Sequence, residues 1–172
     1  PIRYFLFGHH HPHYIGGIRA FVHAQATILA LPQNSDYIHQ LISFDHTIRP
    51  DILQHDRKDL KLEVFEGEKV ISDGELDMKI IHIGKMSDHT EDYLIYYFPK
   101  YKLLFEDDLV WINREGELKP AGSRQKGLYE GIVKHNLVVE QIIQSWPVQD
   151  YGVKTIIPFQ ELEQSVKIIP VN

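Results

Sequence analysis

A mixed α/β chain with two regions of sheet is predicted, and three observations predict it. The first third alternates strand-like and helical patterns. The middle is a series of short apolar or alternating runs separated by turn residues, and the last third returns to helices with a strand between them. The first pattern suits a sheet covered by helices, and the second suits a meander of antiparallel strands.

Ile2 to Phe7 is largely β-branched and aromatic and stops at Gly8, so it reads as a buried strand that delivers the following residues from its carboxyl end. Gly16 to His23 carries Ile18, Phe21 and Val22 at helical spacing, Ala26 to Leu31 is strand-like, and Asp36 to Ile42 reads as a helix. Ser43 to Asp59 is polar and irregular, holding Asp45, His46, Asp51, His55 and Asp56, and is expected to be a surface loop. Strands follow at Leu62 to Phe65, Lys69 to Ser72, Leu76 to Ile83, Tyr93 to Phe98 and Tyr101 to Phe105, with turns at Glu66-Gly67, Asp73-Gly74 and Pro99-Lys100. After Asp107-Asp108, a loop at Lys119 to Gly127 leads to a helix at Tyr129 to Asn136 and a strand at Val139 to Gln144. Pro158, suited to a helix start, opens a short amphipathic helix with Leu162 and Val166.

The 172 residues fit one domain, 1–172, and no repeat or low-complexity segment divides them. A hydrophobic share of 43% with 24% charged residues is that of an ordinary globular protein, and no run approaches the roughly 18 apolar residues of a membrane span. A membrane role is therefore not expected. The net charge of -6 is spread in mixed signs, which argues against a nucleic-acid surface. The absence of cysteine excludes disulfides and thiolate metal sites. No targeting segment is read, and the compartment, cytoplasmic or periplasmic, stays open.

Histidine is the compositional outlier at 11 residues, with His9, His10, His11 and His13 inside five positions. A purification tag would be an unbroken run beside linker residues. This cluster instead lies between the apolar Ile2 to Phe7 and Ile15-Gly16-Gly17-Ile18, so it is read as native. On a tight turn, His9 and His11 at i, i+2 can point two imidazoles at one metal ion, and zinc with three protein nitrogens and an open fourth position is the catalytic arrangement.

His9-His10-His11-Pro12-His13-Tyr14-Ile15-Gly16-Gly17 resembles the H-x-H-x-D-H-x-G-G signature of the metallo-β-lactamase superfamily. Asp88-His89-Thr90-Glu91-Asp92-Tyr93 is similar to that family's G-H-T-x-x-S block, and Leu103-Leu104-Phe105-Glu106-Asp107-Asp108-Leu109 to its L-F-x-G-D-L block. The resemblance runs from Ile2 to about Val166. It implies a partial αββα sandwich with a mostly antiparallel second sheet, and a first metal site of His9, His11 and His89 with Asp108 beside it. One zinc ion is expected and a second is not, because the family's aspartate falls on His13, its next histidine on Tyr14 and its last histidine on Trp146.

That substitution pattern gives His13 a possible role as base or ligand, Tyr14 one as a donor to substrate oxygen, and Trp146 one as a plug or pocket wall. Asp108 is the candidate to orient or share the metal centre, with Asp107 and Glu106 as neighbouring alternatives. His82 reads as a core histidine, His10 as pointing away, and Gly16 and Gly17 as supports of the turn. His23, His39, His46, His55 and His135 show no usable spacing. Two functions follow from the resemblance: a zinc-dependent hydrolase-like protein acting on an unidentified small molecule, or an inactive descendant serving as a binding or assembly module. A complete member begins with strands before the H-x-H turn, so the chain is expected to be truncated at its amino end. Self-association, or a segment supplied from elsewhere, would then cover the sheet left open.

Overall fold

The computed structural model describes residues 1–145 and 151–169. They form two compact units, Pro1–Gly67 and Glu68–Asn172. Among the described residues no helix is long and apolar enough to cross a membrane.

The first unit holds β1 (Tyr4–Phe5), α1 (Pro12–Ile15), α2 (Ile18–His23), β2 (Thr27–Ala30), α3 (Ser35–Ser43), α4 (Ile52–His55) and β3 (Lys61–Val64). Its three strands are parallel in the order β1-β2-β3, with Phe5 beside Ile28 and Leu62 beside Ile28 on the other side. Phe5, Phe7, Ile15, Ile18, Val22, Ile28, Ile38 and Leu53 make its core. The strand expected at Ile2 to Phe7 is ladder-bonded only at Tyr4–Phe5, and the helix expected at Gly16 to His23 is α2, which starts at Ile18 and is preceded by the separate one-turn helix α1. β3 belongs to this parallel sheet and not to the meander assigned to it, because its partner is β2, two helices back in sequence. Periodicity says nothing about such a pairing.

Arg19, on α2 and buried, explains why the polar stretch after α3 is ordered. Its guanidinium donates to Asp51 through Nε at 2.5 Å and Nη2 at 3.1 Å, and through Nη1 to the carbonyls of Leu41, Ile42 and Phe44 at 2.9–3.1 Å. Those carbonyls belong to or follow the open end of α3, where intrahelical partners run out. Asp51 in turn caps α4 by accepting from Gln54 N at 2.8 Å. The residues read as a plain loop therefore include a helix, fixed by a half-buried fork-to-carboxylate pair. The same bonds from Arg19 hold the Asp51 carboxyl well below the usual carboxylate range.

The second unit holds β4 (Glu68–Ser72), β5 (Asp77–His82), β6 (Leu94–Phe98), β7 (Leu103–Glu106), α5 (Ser123–Lys134), β8 (Gln141–Gln144), β9 (Ile156–Pro158) and α6 (Phe159–Lys167). The sheet runs in sequence order from β4 to β9, antiparallel except between β7 and β8, which α5 connects. A parallel pair needs such a crossover. Its core includes Ile81, Tyr93, Ile95, Leu104, Leu128, Ile142 and Leu162. The fold is thus mixed α/β with two sheets, the second mostly antiparallel, as predicted.

Two local corrections concern this unit. α5 starts at Ser123, inside the loop expected at Lys119 to Gly127, so Gly127 lies within a helix. It is there because α5 passes against the Gly84–Ser87 turn so closely that a Cβ at Gly127 would overlap the Met86 carbonyl. Pro158 ends β9, a strand not anticipated, and α6 follows it directly.

Candidate metal centre

The histidine turn of the first unit is built by β1, Gly8 and α1. Pro12 occupies the first position of α1, where its missing N–H costs nothing, and His11 is the N-cap residue in extended conformation. The His11 carbonyl accepts from Tyr14 N and Ile15 N, while its imidazole makes no cap bond. That ring meets His9 instead, with His11 Nδ1 3.0 Å from His9 Nε2 and ring centroids 4.4 Å apart at 70°. His9 is fully buried. Two nitrogens bound at about 2.0–2.1 Å to one tetrahedral zinc lie roughly 3.3 Å apart, so this pair already has nearly the spacing of two ligands.

His13 joins them: each of the three histidines offers a nitrogen within 4.8 Å of the others. Tyr14 packs with a tilted ring against both His9 and His13, at centroid distances of 4.6 and 4.2 Å. His10 is exposed and touches His11 edge-on at 5.2 Å. Gly16 supports the turn as expected, since a Cβ there would come within 2.5 Å of the Pro12 carbonyl, whereas Gly17 has ordinary room.

The second unit assembles a separate set. Asp88 adopts a left-handed conformation at φ 49°, and Ser87 Oγ accepts from His89 N at 3.2 Å and from Thr90 N at 3.3 Å, so the loop before β6 is fixed by its own hydroxyl. His89 Nε2 lies 3.2 Å from Asp108 Oδ2, again close to the spacing of adjacent ligands. Arg124, on the first turn of α5, reaches the same oxygen at 3.7 Å. Asp108, Leu109, Trp111 and the Gly122–Gln125 turn line an open cavity of about 320 Å³ beside that carboxylate.

Asp108 follows Glu106 and Asp107 in a buried acidic turn whose centre is the Tyr93 hydroxyl. That oxygen accepts from Asp107 N at 3.1 Å and Asp108 N at 2.9 Å, and lies within donating distance of Asp108 Oδ1 at 3.1 Å and Glu106 Oε2 at 3.2 Å. Burial, reinforced by the three neighbouring carboxylates, pushes the phenol well above its usual range, so it stays a donor. Burial also pushes Glu106 up to about 8, against the pull of the Leu109 amide bonded to Oε2 at 2.7 Å. Sequence reasoning missed Tyr93. Its one signal was that a tyrosine stands where the similar block carries serine.

His82 is a satisfied histidine, with Nε2 donating to the Glu91 carbonyl at 2.7 Å. His23 pairs with Asp56 at 3.1 Å and His135 with Glu68 at 2.7 Å, contacts that tie surface elements together and that spacing could not foretell. Trp146 lies outside the described residues.

No family profile and no curated protein matches the chain. Solved structures do. A rubredoxin oxygen:oxidoreductase from the anaerobe Desulfovibrio gigas aligns with a TM-score of 0.62 at 15% identity, over 96% of this chain and 43% of its own. A metallo-β-lactamase from Pontibacter korlensis aligns at 0.61 and 14% identity, over 96% and 68%. A metal-soaked flavodiiron core from Synechocystis aligns at 0.62 and 14% identity, over 96% and 42%. The chain thus spans less than half the length of the first and third of these proteins and about two thirds of the second.

Proposed function

We propose that this chain, which carries the metallo-β-lactamase fold, is a metal-dependent hydrolase-like protein in which His9, His11 and His89 hold one zinc ion with Asp108 beside it. The observation that carries this reading is a matched pair of spacings: 3.0 Å between the His9 and His11 nitrogens in one unit, and 3.2 Å between His89 and Asp108 in the other. Both suit neighbouring ligands on a tetrahedral ion, and the resemblance of the sequence blocks to the family's motifs is what supports reading the four residues as one ligand set. When bound, an ion with an open position polarises a substrate oxygen and lowers the pKa of a bound water to about 7.

The surrounding residues have complementary work. Asp108 accepts hydrogen bonds and so orients a donor. His13, as a neutral imidazole, can take a proton near neutral pH. Tyr14 offers a phenol hydrogen to a substrate oxygen. A second ligand set is favoured by the three nitrogens of His9, His11 and His13 lying within 4.8 Å, which would hold an ion without His89. The ion itself is a matter for measurement, since both metallo-β-lactamase and flavodiiron proteins share the fold. The substrate is a small molecule whose class the ligand set does not select.

Elemental analysis of protein purified without an affinity tag or added metal tests the reading. One equivalent of zinc, lost in both His9→Ala and His89→Ala and retained in His13→Ala, is the expected result. Loss in His13→Ala with retention in His89→Ala would move the ion to the three-histidine turn, and iron in place of zinc would change the chemistry proposed. No metal after incubation with either ion would leave the inactive binding or assembly module as the better account.

A further inference from the structure

We infer that Tyr93 is the positioning residue of the acidic turn: its phenol oxygen pins the backbone of Asp107 and Asp108, and its proton pins one carboxylate oxygen of Asp108 so that the other faces His89. The inference rests on the metal-site reading for what Asp108 does, and on geometry alone for how Asp108 is held.

The two oxygens of Asp108 have different partners. Oδ1 lies 3.1 Å from the Tyr93 hydroxyl, while Oδ2 lies 3.2 Å from His89 Nε2 and 3.7 Å from Arg124 Nη1. A hydroxyl has one proton to give and two lone pairs to receive, and of the two oxygens within its reach Glu106 Oε2 at 3.2 Å already accepts from Leu109 N at 2.7 Å, which leaves the proton to Asp108 Oδ1. Tyr93 uses both lone pairs on consecutive amides, Asp107 N and Asp108 N, which fixes the peptide planes that lead into the Asp108 side chain. The phenol is itself immobile. Tyr93 is fully buried, its carbonyl accepts from Ile83 N at 3.0 Å and Gly84 N at 3.2 Å, and its ring packs in the second-unit core. A carboxylate held through its backbone and through one oxygen keeps a single rotamer, which is the condition for a ligand or orienting group to act without a reorganisation cost.

Tyr96 supplies the contrast. It is also buried, three residues along, yet its hydroxyl has no hydrogen-bond partner among the described residues. Burying a tyrosine here does not by itself produce a hub.

The test compares wild type, Tyr93→Phe and Tyr96→Phe. In metal-free protein, side-chain coupling constants report the Asp108 rotamer and hydrogen exchange reports the Asp107 and Asp108 amides. With zinc, chelator competition gives the affinity. A single Asp108 rotamer and two protected amides are expected in wild type and in Tyr96→Phe. Tyr93→Phe should show rotamer averaging and a zinc affinity about 10–100-fold weaker, the usual cost of losing a group that orients a ligand. An unchanged Asp108 rotamer in Tyr93→Phe would overturn the inference, as would unchanged affinity in a wild type that binds zinc. Should wild type bind no zinc, the function proposed above fails while the coupling constants still decide the role of Tyr93. Should Tyr93→Phe not fold, the wild-type amides decide it, protection supporting the role and free exchange refuting it.

Discussion

Replacing Glu106 by glutamine in the metal-free protein should abolish most of a pH dependence in the stability of the second unit. Glu106 is fully buried, and burial raises its carboxyl from 4.5 to about 8. The folded chain therefore keeps a proton that the unfolded chain releases, and the stabilisation present below pH 4.5 is lost progressively as pH rises towards 8. Each unit of that interval is worth at most about 1.4 kcal/mol, so wild type should lose roughly 3–4 kcal/mol relative to Glu106→Gln between about pH 4.5 and 7.5. The glutamine oxygen can still accept from Leu109 N, so the substitution keeps the bond seen at 2.7 Å. Urea unfolding in the presence of a chelator is the assay. Trp111 belongs to the second unit, which makes its fluorescence a reporter of that unit. A stability difference between the two proteins that stays flat across this range would refute the reasoning, because Glu106 would then be titrating as an ordinary carboxyl.

Other substitutions test other parts of the structure. Arg19→Met would leave Asp51 and three carbonyls without their donor and should destabilise the first unit by about 1–3 kcal/mol, read by circular dichroism during denaturant unfolding. Asp51→Asn should remove stability that wild type holds above pH 3.8 and loses as pH falls from 3.8 towards the depressed value of the folded carboxyl, so the two stabilities should converge only below the usual carboxylate range. Gly127→Ala would place a methyl group against the Met86 carbonyl and should lower the melting temperature by several degrees, where an ordinary helical glycine gains slightly from alanine. Adding one equivalent of zinc to metal-free wild type should raise its melting temperature, with the rise absent in His9→Ala, as calorimetry would show.

Local chemistry makes much of this protein legible in the order of its residues. The β-branched and aromatic runs at Thr27–Ala30, Glu68–Ser72, Asp77–His82 and Leu94–Phe98 declare themselves as strands, and Ser35–Ser43 as a helix, because side-chain period and turn residues act within a few positions. The His9-x-His11 turn is equally clear, since its geometry depends on the end of one strand, a proline and a small residue at Gly16. What only the tertiary structure decides involves partners far apart in sequence. Lys61–Val64 reads like any short strand, but pairing with Thr27–Ala30 places it in the parallel sheet. The start of α5 and the glycine at 127 answer to the distant Gly84–Ser87 turn. Arg19 and Tyr93 look like one charged and one aromatic residue in amphipathic runs. Their hydrogen bonds to Asp51 and to the Glu106–Asp108 turn arise only when folding carries those groups to them, and a buried polar group must find its partner wherever the chain brings one.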